Sequence, residues 1–97
     1  MVTPNKKNLS SIKITIRAYN GIIYTGEAVS VSSRNEKGPF DILPGHINFI
    51  TMVKESLVVR KADKTEESFE IKGEGVLHVY LGEVFVFLGV SEAPELT

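Results

Sequence analysis

Apolar and polar residues alternate with a period of two along most of this chain, and no stretch shows the spacing of a helical apolar stripe. In residues 12–19, Ile12, Ile14, Ile16 and Ala18 fall on one face and Lys13, Thr15, Arg17 and Tyr19 on the other. That pattern predicts a half-buried strand. Asn20-Gly21 is a hairpin signal. The chain is expected to return through residues 22–25, with Gly26 marking a bulge or tight bend. Residues 27–33 alternate again with Val29 and Val31 inward, and Arg34-Asn35-Glu36-Lys37-Gly38 reads as an exposed, charged turn.

Two apolar runs, residues 40–43 and 47–53, are joined by Leu43-Pro44-Gly45-His46. Pro44 fixes its own φ near −65° and drives Leu43 toward an extended conformation. Gly45 can take the positive φ required at the third position of a type II turn. The tetrapeptide therefore predicts a rigid corner that presents His46 at the edge of a small β domain. Beyond it, Lys54-Glu55-Ser56 predicts a turn and residues 57–61 a strand. Residues 62–67 form a charged hairpin tip, and residues 68–72 return with Phe69 and Ile71 inward. Gly73-Glu74-Gly75 breaks the run, and residues 76–81 and 84–90 make two more strands around Gly82-Glu83.

Some eight to ten short strands, spaced by roughly ten residues, predict an all-β fold, a small antiparallel β-sandwich or flattened barrel. In the last hairpin Val76, His78 and Tyr80 face one way and Leu77, Val79 and Leu81 the other, and both sets are largely apolar. An antiparallel sheet usually keeps one face polar. Either these strands are central and covered by the rest of the chain, or one face docks on a partner.

With 97 residues the chain has room for one domain, expected over residues 12–90 between a loose lead-in (1–11) and a tail (91–97). A net charge of −1 offers no footprint for nucleic acid or an anionic membrane. Cysteine is absent, which excludes disulfides and thiolate metal sites. No apolar run approaches the ~20 residues of a membrane helix, and no secretory signal is evident, so a cytosolic compartment is expected. Without such a signal, the Asn8-Leu9-Ser10 sequon reads as a chance match.

Catalytic constellations do not emerge. His46 and His78 are the two imidazoles, and a zinc site at either would need further ligands. Both read more simply as turn and strand histidines. Asp63, Glu66, Glu67 and Glu70 crowd one hairpin tip, where a solvated charged face is the expected reading. Gly73-Glu74-Gly75 lacks the pattern of a phosphate loop. No enzyme, cofactor or nucleic-acid role is expected.

The central stretch and its flanks resemble the N-terminal β-sandwich domain of the epsilon subunit of rotary ATP synthases, called delta in mitochondria. Tyr24-Thr25-Gly26-Glu27 is similar to the family's aromatic-Ser-Gly-Glu turn, and Val29-Ser30-Val31 to its next strand. Gly38-x-Phe40-x-Ile42-Leu43-Pro44-Gly45-His46 matches its most distinctive segment, followed by Ile50-Thr51. Phe69, Gly73 and residues 75–79 resemble the next strand pair, and residues 84–88 the closing strand.

The resemblance implies a non-catalytic rotor subunit. It would link the gamma subunit to the membrane ring of c subunits and couple ion flow to ATP synthesis or hydrolysis. Such a subunit lies on the inner face of a bacterial plasma membrane without inserting into it, and the isolated domain is expected to be monomeric. Gly38, Pro39, Phe40, Asp41, Leu43, Pro44, Gly45 and His46 would face the c-ring. Val76, His78, Tyr80, Val84 and Val86 would face gamma. Two departures stand out. Pro39 occupies a position that is usually acidic, with Asp41 two residues on, so a charged ring contact is expected to be shifted or lost. The family's C-terminal helical pair has no counterpart up to Thr97, so its regulatory roles are not expected of these residues. The alternatives are a stand-alone sandwich that offers an edge strand to peptides, against which charged candidate edges argue, and a small ligand-binding or enzyme domain built on His46 and Asp41.

Overall fold

The structure, a computed structural model, describes residues 11–46 and 48–89. The expectations for residues 1–10, Ile47, Val90 and the tail 91–97 lie outside them. The described residues form seven strands: β1 (Ile12–Ala18), β2 (Gly21–Ala28), β3 (Ser30–Asn35), β4 (Gly38–Ile42), β5 (Phe49–Arg60), β6 (Glu66–Tyr80) and β7 (Glu83–Leu88). They make one open sheet in the order β2-β1-β7-β6-β5-β3-β4. The all-β expectation holds, with corrections to strand number, strand direction and local detail.

The count is lower than predicted because two breaks expected from sequence lie inside long strands. Lys54 pairs with Glu74 and Glu55 with Ile71, which leaves Lys72 and Gly73 without partners on β6. Glu55 and Gly73 take φ values of 73° and 84° there. The turn-forming residues thus supply a bulge that bends β5 and β6 together. The sheet is also mixed, because β1 runs parallel to β7 while every other neighbour is antiparallel. A parallel pair needs a long connection, and here the whole intervening chain provides it.

Bending lets one sheet form two layers. One layer holds β2, β1, β7 and the adjoining halves of β6 and β5; the other holds β4, β3 and the remaining halves. Ile14, Ile16, Val84, Leu77 and Val53 from the first meet Val31, Ile42, Leu57, Val59 and Ile71 from the second in one buried cluster. Tyr24 against Phe69 (5.4 Å between ring centroids) and Phe40 against Phe49 (6.0 Å) close its margins.

Local chemistry explains the remaining differences. Gly26 is no bulge: it pairs with Ile14, and the register shift lies at Ile16/Arg17. Its missing side chain leaves room for the Tyr24 ring, whose hydroxyl would sit 3.1 Å from a Cβ at this position. Val29, expected inward, is half-buried, while its neighbours Ala28 and Ser30 are buried. It is the crossing residue between β2 and β3, and its N–H donates to the Arg60 carbonyl at 2.8 Å. The first hairpin closes on Ala18 and Gly21, so Tyr19-Asn20 forms its loop.

Candidate functional site

The corner forms as its residues dictate. The His46 N–H donates to the Leu43 carbonyl at 3.0 Å, and Gly45 has a φ of 86°. The His46 ring rests on Phe49, with centroids 5.5 Å apart. Upstream, β4 is an edge strand, a position where Pro39 needs no outward N–H partner. Gly38, Phe40 and Ile42 point inward along it and Pro39 and Asp41 outward. Asp41 accepts a hydrogen bond from the Ser32 hydroxyl at 2.5 Å. The eight residues assigned to the corner region therefore divide. Phe40 packs inside against Phe49, whereas Pro39, Asp41, Leu43 and Gly45 are exposed.

The five residues expected to share one docking face do not share it. A two-residue turn, Leu81-Gly82, separates β6 from β7, with φ of 48° and 82°. It pairs Val79 with Val84, Leu77 with Val86 and His78 with Phe85. Residues opposite each other in an antiparallel pair point to the same side, so Val84 and Val86 join Leu77 and Val79 in the core, where all four are buried. As surface residues they are corrected: their places on the outer face belong to Phe85 and Phe87.

That outer face is apolar across three strands. Ile50, His78 and Phe85 form one cross-strand row, and Met52, Val76 and Phe87 the next. Fractional exposure is 64% for Ile50, 44% for Met52, 49% for Tyr80, 42% for Phe85 and 43% for Phe87. At about 200 Å² per large side chain, these residues present roughly 500 Å². That lies at the upper end of the patch sizes of free monomers, about 300–600 Å². His78 sits at its centre, 5.8 Å from the Tyr80 ring and 6.4 Å from Phe85. Across the next strand Lys13 stands opposite Glu83, Thr15 opposite Phe85 and Arg17 opposite Phe87, giving the patch a polar rim. Ile50, Met52, Phe85 and Phe87 escape the sequence reading, since nothing local shows which strands lie side by side.

The carboxylates at the β5–β6 tip are exposed, as expected. Arg60 donates to Glu66 through Nε and Nη2, at 3.0 and 2.8 Å. Lys61 lies 3.6 Å from Glu67, and the Thr65 hydroxyl and N–H hold Asp63 below its ordinary carboxylate pKa. Among the described residues no group of three or more His, Asp or Glu could hold a metal ion. A face of this kind can bind a partner.

Residues 11–90 match the family described as ATP synthase, Delta/Epsilon chain, beta-sandwich domain. The ATP synthase epsilon chain of Sulfurimonas denitrificans is 37% identical over 81 residues, which cover 82% of this chain and 62% of that one. The chain thus spans about three-fifths of the length of this curated relative. Among solved structures, a chain of the mitochondrial ATP synthase of Euglena gracilis, an assembly of OSCP, F1 and c-ring, shares the fold. Its TM-score is 0.75 at 20% identity, covering 81% of this chain and 51% of that one. A chain from the central stalk and c-ring of the Tetrahymena thermophila mitochondrial enzyme gives 0.65 at 10% identity, covering 89% and 73%.

Proposed function

The chain belongs to the ATP synthase delta/epsilon β-sandwich family, and from that membership we propose that it is the sandwich domain of a non-catalytic rotor subunit. Its outer apolar face packs on the gamma subunit, and its β4 edge and corner meet the c-ring. In that place it couples ion flow to ATP synthesis or hydrolysis by holding shaft and ring together. It is peripheral to the membrane through the complex, on the inner face in a bacterium.

One observation carries this reading: Ile50, Met52, Tyr80, Phe85 and Phe87 crowd one sheet face of a domain of this family. A standard interface takes about 800 Å² from each partner, so the patch fills the apolar centre of one and its charged rim completes the border. At the other contact, exposed Leu43 and Asp41 give the ring an apolar and an acidic group. Asp41 thus stands in for the acidic residue replaced by Pro39.

Titration of the purified gamma subunit of the same source with the wild-type domain and with Phe85→Asp/Phe87→Asp tests the reading. The wild type is expected to bind. The double variant is expected to lose at least a hundredfold in affinity while keeping its circular dichroism spectrum. Equal binding by both overturns the docking face.

A further inference from the structure

The backbone of β5 leaves an unpaired edge beside the apolar face. In a two-residue hairpin the residues flanking the loop exchange backbone hydrogen bonds. Tyr80 and Glu83 flank the Leu81-Gly82 turn, so Tyr80, His78 and Val76 direct their N–H and C=O groups to β7. Leu77, Val79 and Gly75 then direct theirs to β5, where they meet Thr51, Phe49 and Val53. The even-numbered residues of β5 consequently point their backbone groups away from β6. From residue 56 onward these groups are used: the Ser33 hydroxyl donates to the Ser56 carbonyl at 2.8 Å. Val58 and Arg60 lie in the β3 ladder, and the Arg60 carbonyl also accepts from Val29. Before residue 56 the ladder is open. Among the described residues no backbone group pairs with the outward edge of Ile50, Met52 and Lys54. Among the described residues the Met52 carbonyl accepts a 3.3 Å contact from the Thr51 hydroxyl and no other hydrogen bond.

This edge lines a groove of about 390 Å³, walled on the far side by Asn35, Glu36 and Lys37 of the β3–β4 turn. The Asn35 amide donates to the Thr51 hydroxyl at 3.1 Å and holds the turn above the strand. The sheet's two terminal edges are blunted in familiar ways, β4 by Pro39 and β2 by its register shift. The inner edge of β5 between Phe49 and Val53 carries neither device.

We infer that this open edge receives an extended segment of the partner that covers the outer face, adding a strand beside β5. The inference rests on the docking reading above. Continuity selects this occupant: the side chains of Ile50 and Met52 belong to the apolar face, and their backbone groups form the open edge. A partner seated on the one reaches the other through the same two residues. Main-chain pairing of this kind supplies affinity, while alternate side chains set specificity.

Hydrogen exchange and a proline variant test it with the full chain and purified gamma subunit. In the free protein the amides of Ile50, Met52 and Lys54 are expected to exchange rapidly, and those of Phe49, Thr51 and Val53 slowly. Binding is expected to slow the first three at least tenfold. Met52→Pro removes one outward N–H that the fold does not use, and an edge strand tolerates it. It is expected to weaken binding at least tenfold more than Met52→Ala, which removes the side chain alone. Binding that leaves the three amides exchanging as in the free protein overturns the added strand while leaving the docking face standing. Absence of binding by folded wild type overturns both. Protection of the same amides in the free protein that grows with its concentration assigns the edge to a second copy instead, and overturns the occupant named here.

Discussion

Adjacent residues of β7 should respond to the same substitution with very different losses of stability. Val86 is buried between Ile16 of β1 and Leu77 of β6, whereas Phe85 is 42% exposed. In Val86→Asp the fold loses a buried valine side chain, about 2 kcal/mol. The new carboxyl has only apolar neighbours, so burial forces it to stay protonated. At pH 7, roughly three units above the free carboxyl value, that costs about 4 kcal/mol more. The total of about 6 kcal/mol matches or exceeds the lower range of stability for 97 residues, about 5–15 kcal/mol. Phe85→Asp keeps its charge in water and gives up part of one side chain's burial, about 1 kcal/mol. The sign of the pH effect follows. The folded-state pKa of the introduced group is raised, so its penalty is absent below the unfolded value near 4 and grows as pH rises. Urea unfolding followed by circular dichroism at pH 7 and pH 4 measures both effects. Val86→Asp should be largely unfolded at pH 7 and recover about 4 kcal/mol relative to wild type at pH 4. Phe85→Asp should stay folded at both. A Val86→Asp protein within about 1 kcal/mol of wild type at pH 7, or a Phe85→Asp protein equally damaged, would refute the assigned faces.

Two further substitutions probe the bend and the charged tip. A Cβ at Gly75 would lie 2.8 Å from the Phe87 carbonyl oxygen and 2.9 Å from a Leu88 methyl. Gly75→Ala should therefore cost about 1–3 kcal/mol, lowering the melting temperature by about 4–8 °C per kcal/mol; an unchanged or raised melting temperature would contradict this close packing. At the β5–β6 tip, the Thr65 hydroxyl is the first cause of the lowered Asp63 pKa, followed by the Thr65 N–H, with Lys61 adding a smaller effect. A lowered folded-state pKa contributes stability above the unfolded carboxyl value and loses it as pH falls through the folded one. NMR titration of Asp63 in Thr65→Ala should show its pKa rise toward the ordinary carboxylate value, and an unmoved titration would assign the shift elsewhere.

What the sequence determined by itself is local. Alternation at Ile12, Ile14 and Ile16 is a property of successive side chains on one strand, and it specified both the strand and its buried face. Pro44 and Gly45 constrain their own dihedral angles, so the corner was legible without neighbours. The Tyr24-Thr25-Gly26-Glu27 signature and the corner motif together also pointed to the family. Tertiary structure decided what depends on pairing. Whether Lys54-Glu55-Ser56 ends a strand or bulges within one turns on the partner strand, because a bulge is a mismatch between two chains. The parallel contact of β1 with β7 joins the two ends of the fold, where no short-range pattern could record it. Above all, the outer face follows from register. With a side-chain period of two, one step of register exchanges core for surface, and the turn at Leu81-Gly82 settled that step by placing the valines of β7 inside and its phenylalanines outside.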